Sequence, residues 1–360
     1  MTDLFSPLKL GKVELPNRIF MAPMTRNRAP DNIANAMMAT YYKQRASGGL
    51  LITEGSQVSE QAVGYPATPG IYSSEQVQGW RQVTDAVHEA GGHIYLQLWH
   101  CGRVSHPDFH GGEEAVAPSA IRPAGDAFTF EGLKPFETPR ELSLPEIPDL
   151  IGDYRKGAAN SIAAGFDGVE IHGANGYLLD QFLRDGSNRR SDGYGGTLEN
   201  RARLMLEVTE AVCDEIGADR VGIRLSPLQP FNDMKDSDPE TTFSYLVEQL
   251  NRFGLAYLHV TEMGSETPDT AGPAFDLGKL RAIWKGVYIT NAGYNAERGN
   301  AAIAEGKADA VAFGTTFLAN PDLVARLQSG VELNAPVMET FYGGDGHGYT
   351  DYPAMGESKA

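Results

Sequence analysis

The segment Glu170-Ile171-His172-Gly173-Ala174-Asn175-Gly176-Tyr177-Leu178-Leu179-Asp180-Gln181-Phe182-Leu183 holds the residue types best suited to chemistry. The run Gly165-Phe166-Asp167-Gly168-Val169 before it reads as a buried strand, and Tyr177–Leu183 reads as the start of a helix. His172 and Asn175 are three positions apart, so on a first helical turn they point the same way. Both side chains can donate a hydrogen bond to one acceptor oxygen, and the Tyr177 phenol just beyond can supply a proton. Two donors and a phenol at the mouth of a strand suit the polarisation and protonation of a carbonyl or nitro compound.

The elements that must position these groups follow a repeating order. Short apolar runs at Arg18–Ala22, Gly49–Thr53, His93–Leu98, Asp167–His172, Arg220–Leu225, Ala256–Thr261, Val287–Asn291 and Ala308–Gly314 are continuous rather than alternating. That pattern predicts parallel strands buried on both faces. Helical patterns fall between them, at Ser74–Ala90, Leu144–Ala164, Leu198–Ile216, Pro239–Phe253, Ala296–Glu305 and Pro321–Ser329. Ser74 before Glu75, and Asp238-Pro239-Glu240, offer N-caps, while Gly91, Gly165, Gly217 and Gly254 stand where left-handed C-terminal residues are wanted. Eight β-then-α units predict a (β/α)₈ barrel, an α/β fold with one domain over residues 1–360. An open doubly wound sheet fits less well: no GxGxxG follows the first strand, and suggestive residues follow nearly every strand. Leu8–Leu15 reads as an N-terminal β-hairpin turning at Gly11-Lys12 and covering the barrel bottom. The Pro- and Gly-rich interval from His100 to Pro145 reads as a long insertion after strand three, a lid or binding loop.

In such a barrel, chemistry sits where strands end. The ends in order carry Ala22-Pro23-Met24-Thr25, then Glu54-Gly55, then Gln97-Leu98-Trp99-His100, then His172, Asn175 and Tyr177. Arg224 ends strand five, Asn291-Ala292-Gly293 strand seven and Phe313-Gly314-Thr315 strand eight. A hydroxyl, a carboxamide, a guanidinium and two glycine-bearing turns suit a flat, heteroatom-edged ring with a phosphate tail. Gln97 both donates and accepts, matching an alternating N–H/C=O edge, and Arg224 can stabilise negative charge on a reduced ring. Gly293 and Gly314 let backbone N–H groups approach a phosphate.

At this point the chain resembles the old yellow enzyme family of flavin-dependent ene-reductases over essentially its whole length. The carrying segments are Pro16-Asn17-Arg18, Ala22-Pro23-Met24-Thr25-Arg26, Tyr42-Lys43-Gln44-Arg45-Ala46 and Gln97-Leu98-Trp99-His100-Cys101-Gly102-Arg103, with the His172 segment. Asp192-Gly193-Tyr194-Gly195-Gly196-Thr197-Leu198-Glu199-Asn200-Arg201, Ala319-Asn320-Pro321-Asp322-Leu323 and Gly348-Tyr349-Thr350-Asp351-Tyr352-Pro353 complete the match. It is most similar to the bacterial branch with N-ethylmaleimide and glycerol trinitrate reductases. The resemblance implies non-covalent FMN, with NADPH or NADH as hydride donor. It places the ring between Ala22–Thr25, Gly55, Gln97 and Arg224, with Thr25 on the flavin C4 carbonyl and the phosphate on Gly293 and Gly314-Thr315. His172 and Asn175 become the substrate-activating pair and Tyr177 the proton donor, while Tyr65, Trp99, Phe231 and Tyr342 line the substrate pocket. Expected substrates are electron-poor alkenes such as enones, maleimides and nitroalkenes, with nitrate esters besides. Phenolic ligands mimic the enolate, and the assembly is a monomer or homodimer.

One departure stands out: the family usually has Arg directly after the strand-eight glycine, and this chain has Thr315. Losing a bidentate, charge-assisted grip on a phosphate costs roughly 1.5–3 kcal/mol, so weaker FMN retention than in relatives is expected. His172 alone would most simply be a satisfied core histidine, a reading the matched segment weakens. Asp180 and Glu54 fit helix solvation and packing as well as acid–base work, Arg26 and Arg28 read as structural ion partners, and Cys101 as a pocket wall. No metal is expected, since His100, Cys101 and His106 lack ligand spacing.

Composition bounds the rest. With 360 residues, 41% hydrophobic, there is enough apolar material for one large core or two modest ones. The net charge of −17 and the absence of a basic stripe argue against a nucleic-acid partner. No run of 18 or more apolar residues suggests a membrane span, and Met1–Pro7 does not read as a signal peptide. Two distant cysteines exclude a disulfide framework or an iron–sulfur cluster and point to the reducing cytoplasm. The rival functions are a flavin-independent aldolase or isomerase, for which no strand ends in Lys, and a flavin- or phenol-binding sensor barrel without significant turnover.

Overall fold

A computed structural model describes residues 2–262 and 275–357. Eight strands, β1 (Ile19–Met21), β2 (Leu50–Gln57), β3 (Ile94–Trp99), β4 (Gly168–His172), β5 (Val221–Leu225), β6 (Tyr257–Thr261), β7 (Val287–Asn291) and β8 (Ala310–Phe313), pair in parallel and close into a barrel in chain order. Each lies within a run expected from the sequence, except that β2 continues to Gln57 and β3 one residue further than expected, to Trp99. The fold is the expected (β/α)₈ barrel.

Period-two alternation sorts the strand residues into two cores. Val169, Ile171, Val221, Ile223, Leu258 and Val260 join the large cluster under the helices. A smaller cluster, including Phe20, Leu50, Tyr95, Tyr257 and Ile289, occupies the barrel interior together with Leu8, Leu10 and Leu15. Those three leucines belong to the antiparallel hairpin Leu8–Leu10/Val13–Leu15, which turns through Gly11 at φ 54° and plugs the bottom. A side chain at Gly11 would collide with the Asp219 carbonyl at 2.2 Å, just before β5, so the turn is pressed against the base of the barrel.

The main helices are α1 (Ala36–Gln44), α2 (Ser74–Glu89), α3 (Ile147–Ala163), α4 (Leu198–Ile216), α5 (Pro239–Leu250), α6 (Gly278–Ile283), α7 (Ala296–Ala304) and α8 (Leu323–Ser329). Asp238 caps α5 as expected, accepting from Thr241 N at 3.1 Å. The cap of α2 lies one residue earlier than expected: Ser73 and Gln76 form a capping box and Ser74 is already helical. α1 and α6 are additions to the elements expected from sequence: α1 buries Met38, Tyr41 and Tyr42 at i, i+3 and i+4, a helical pattern only three residues strong, and the six-residue α6 buries Leu280 alone.

The insertion after β3 is built around short strands. Val116–Ala117 pairs with Arg140–Glu141, and Asp126–Thr129 forms a hairpin with Gly132–Pro135. No helix among the described residues is long and apolar enough to cross a membrane.

Candidate functional site

The C-terminal mouth of the barrel opens into a cavity of about 530 Å³. Pro23, Met24 and Thr25 after β1, Gly55 in β2, Gln97 and Trp99 in β3, and Arg224 in β5 meet there. His172, Asn175 and Tyr177 after β4, and Thr315 after β8, line the same space. Tyr65, Phe231 and Tyr342 complete its wall, the last two 51% and 63% exposed at the rim. Sequence positions spread over most of the chain thus converge because parallel strands all end on one face.

The floor depends on an irregularity. The pairing of β2 with β3 slips between Ile52 and Gly55, a bulge at Thr53-Glu54. Gly55 then passes under Trp99 so closely that a Cβ would stand 2.6 Å from the indole. Any larger residue there displaces Trp99, which packs edge-on against Tyr177 at 4.9 Å and lies flat on Tyr65 at 5.5 Å.

His172 and Asn175 are not on a helical turn. His172 is the last residue of β4, and Asn175 is left-handed at φ 60°, followed by Gly176 at φ 76°. The rationale from helical spacing is therefore wrong, although both residues reach the cavity. Asn175 is held by its backbone: its N–H donates to Ser226 Oγ at 2.6 Å and its carbonyl accepts from Asn232 Nδ2 at 2.8 Å. Asparagine is among the few residues that adopt this conformation readily. Gly176 is required besides, since a Cβ would meet Met234 Cγ at 2.6 Å. Tyr177 caps the short helix Leu178–Leu183. The buried pair Asp180–Arg184 at 2.8 Å holds the turn, with Asp180 Oδ2 also accepting Gly176 N–H. Asp180 is thus committed to structure.

Burial sets the protonation states. His172 lies well below the usual imidazole range, through loss of solvent and then the positive charges of Arg224 and His259, so it is neutral at pH 7. Tyr177 is pushed well above the usual phenol range by burial and keeps its proton. Its hydroxyl lies 3.2 Å from that of Tyr65. Burial lowers Arg224 from its usual value, opposed by Glu170 and by Tyr177 and Tyr257. Among the described residues, His172 Nδ1, Asn175 Oδ1, Arg224 Nε and Trp99 Nε1 are buried without a hydrogen-bond partner. Such atoms are costly unless a ligand or water meets them. Together with Gln97 and Thr25 they make a donor-rich site that fits a flat ring with carbonyl and ring-nitrogen edges.

Three expected cofactor residues stand outside the cavity lining. Ala22 is buried in the barrel interior behind Pro23. Gly314 borders the lining: a Cβ on it would come 3.7 Å from Met24 Sδ. Gly293 is exposed on the turn after β7, where its carbonyl and that of Ala292 accept from Arg298 Nη1 at 3.2 and 3.3 Å. Ala292 is left-handed at φ 91°, a conformation costing a side-chain-bearing residue about 1–2 kcal/mol. Cys101 does not form the wall expected of it; it packs behind Tyr177 with Val104 and Phe136.

Other lining residues escaped the sequence reading by number. Phe128, from the hairpin of the insertion, and Phe341, beside Tyr342, both reach the cavity, as does Leu318. From sequence the interval Ser105–Lys134 is expected to shape the pocket, but nothing in Asp126-Ala127-Phe128-Thr129 singles out Phe128: the order polar, apolar, apolar, polar is no period-two pattern, and Phe128 lies on the more exposed face of its strand. The loop Met263–Phe275, which the sequence also offers as a pocket-shaping segment, lies outside the described residues apart from Phe275, which is buried in the large core. Arg26 lines the cavity but directs its guanidinium to the carbonyls of Phe341 and Gly348, a structural task.

With the geometry in place, comparison with known proteins gives one family. The model of the NADH:flavin oxidoreductase / NADH oxidase family matches residues 3–334. The chain is 44% identical over 357 residues to 12-oxophytodienoate reductase 2 of Arabidopsis thaliana, covering 98% of this chain and 96% of that one. It is 46% identical over 361 residues to 12-oxophytodienoate reductase 1 of Oryza sativa subsp. japonica, covering 98% and 93%. Among solved structures, morphinone reductase in complex with tetrahydroNAD superposes with a TM-score of 0.93 at 47% identity, covering 99% of this chain and 98% of that one. The old yellow enzyme homologue from Zymomonas mobilis superposes at 0.94 with 43% identity, covering 98% and 99%.

Proposed function

This chain belongs to the old yellow enzyme family of NADH:flavin oxidoreductases, and from that premise we propose that it reduces the C=C bond of enones, maleimides and nitroalkenes, and that nitrate esters are further substrates. It is an NAD(P)H-dependent flavin oxidoreductase with FMN as cofactor. Bound non-covalently at the barrel mouth, FMN supplies hydride chemistry between a reduced nicotinamide and the β-carbon of the alkene.

The residues of this chain do the rest. Gln97 and Thr25 offer hydrogen bonds to the ring edge, and Arg224 offers its unpartnered Nε and its positive charge. Thr315 and the turns at Gly293 and Gly314 take the phosphate end. His172 and Asn175 hold the carbonyl or nitro oxygen of the substrate and draw charge toward it. Neutral imidazole suits this role, since it donates one N–H without bringing a second full charge beside Arg224. Tyr177 delivers its proton to the α-carbon, and the Tyr65 hydroxyl at 3.2 Å provides a hydrogen-bonded path to replace it. Tyr65, Trp99, Phe231 and Tyr342 exclude water around the alkene. The two free cysteines fit a reducing compartment, and we place the protein in the cytoplasm.

One observation carries the reading: a neutral imidazole, a carboxamide and a protonated phenol, two with unpartnered buried atoms, share one cavity with Gln97 and Arg224. The test is steady-state oxidation of NADPH and of NADH by a panel of enones, maleimides, nitroalkenes and nitrate esters, on protein whose FMN content is measured. Turnover of the alkenes with product reduced at C=C is the expected result. Bound FMN without turnover would leave a binding barrel and overturn the proposal.

A further inference from the structure

One buried pair, Glu170 and His259, has no direct part in that chemistry but meets it through Gln97. Below the cavity, Gln97 Nε2 donates to Glu170 Oε1 at 2.7 Å, and Glu170 Oε2 lies 2.8 Å from His259 Nδ1. Glu170 and His259 are fully buried, and neither lines the cavity. The barrel register builds this arrangement: Glu170 stands opposite Gln97 across β4 and β3, and His259 opposite Arg224 across β6 and β5. Alternation then points Glu170 and His259 into the barrel, one layer beneath His172 and Arg224, with Tyr95 and Tyr257 in the layer below them.

We propose that Glu170 and His259 are positioning residues that pin the Gln97 carboxamide and set the reduction potential of the cofactor without touching it. This rests on the reading that places FMN on Gln97 and Arg224. A buried carboxylate persists only when hydrogen bonds and opposite charge offset its desolvation. Burial raises Glu170, but His259, then the nearby Arg224 charge and the Gln97 hydrogen bond together outweigh it and hold its carboxyl below the usual value. His259 is lowered by burial, opposed by Glu170, so the neutral ring donates from Nδ1. One amide hydrogen of Gln97 is thereby fixed downward, leaving its other N–H and its oxygen for the ring edge. The fixed negative charge of Glu170 opposes the gain of electrons above it and partly cancels Arg224. A pair serving packing alone would leave the potential untouched.

The test is the two-electron midpoint potential of the FMN-loaded protein, read spectroscopically against a reference dye. Glu170→Gln keeps the shape and the acceptor for Gln97 but removes the charge. Its potential rises by the equivalent of a ten- to hundredfold gain in the reduced-to-oxidised ratio, about 30–60 mV for a two-electron couple. His259→Asn retains an N–H for Glu170 and keeps the ratio within about twofold of the parent. Should Glu170→Gln fail to fold, the double variant Glu170→Leu/His259→Leu removes both polar partners together, which a core tolerates better than losing one. Its potential rises as well. An unchanged or lowered potential in either folded, FMN-loaded charge-removing variant overturns the inference while leaving the proposed reaction standing. Failure of the parent protein to bind FMN would overturn both.

Discussion

Tyr177 shows what burial does to a single acid. Surrounded by Trp99, Tyr65 and Cys101, its phenol cannot ionise in the working range, so it is available as a donor at every pH near neutrality. Tyr177→Phe keeps the ring packing and removes only the proton. Stopped-flow measurement should show flavin reduction by nicotinamide within about twofold of the parent, and alkene reduction slowed about 10²–10⁴-fold. Both half-reactions unaffected would exclude Tyr177 as the acid. Thr315 raises a second question at this scale. It is exposed at the cavity edge, so an arginine has room to reach an anion there. Thr315→Arg should tighten FMN binding about ten- to hundredfold by equilibrium dialysis, and an unchanged dissociation constant would show that the phosphate is gripped elsewhere.

At the scale of elements, the bulge in β2 places Glu54 against the loop after β1 and against α1. Its carboxylate accepts from Arg26 N at 3.3 Å and from the Tyr42 hydroxyl at 3.4 Å. Burial outweighs these contacts and raises Glu54 to about 7, from an ordinary value of 4.5. The folded protein therefore holds a proton here that the unfolded chain releases. The contribution is complete below about pH 4.5 and is lost as pH rises through 7, a difference of order 3 kcal/mol. Thermal melts from pH 4.5 to 8 should show Glu54→Gln losing less stability with rising pH than the parent; parallel curves would refute a raised carboxyl. The turn after β7 offers a test of strain. Ala292→Gly relieves a left-handed alanine and should stabilise the protein by about 1 kcal/mol in urea unfolding, and a destabilised variant would show that the turn carries no strain.

Across the whole molecule, the C-terminal segment is strapped onto the first βα unit by arginines. Arg26 and Arg28 donate to carbonyls of residues 340–348, and Arg45 donates to those of Phe317, Leu318 and Tyr349. Tyr349 stacks on Tyr41 at 4.1 Å with the rings 6° apart, beneath the guanidinium groups of Arg26 and Arg28. The strap carries Phe341 and Tyr342 to the cavity, so the far end of the chain finishes a wall begun near its start. Tyr349→Ala should cost about 3–5 kcal/mol and expose the 338–348 segment to limited proteolysis, since buried cations lose their stacking partner. A melting temperature equal to the parent's would mean that the strap is held by its backbone contacts alone.

Beyond what the family resemblance implied for Tyr65, Phe231 and Tyr342, the sequence by itself determined the barrel, its eight strands, the bottom hairpin and most of the strand-end residues at the mouth. These depend on local pattern: continuous apolar runs, capping residues, and the rule that parallel strands end together. It could not give the left-handed Asn175 turn, because φ is set by Ser226 and Asn232, some 50 or more positions away. Nor could it pair Glu170 with His259 or bring Phe128 and Phe341 to the cavity. Register across non-adjacent strands and the path of an insertion are fixed by packing between distant segments, which leaves no local trace. Only the tertiary structure decided which buried charges face one another, because the desolvation that governs their protonation exists only once the barrel has closed.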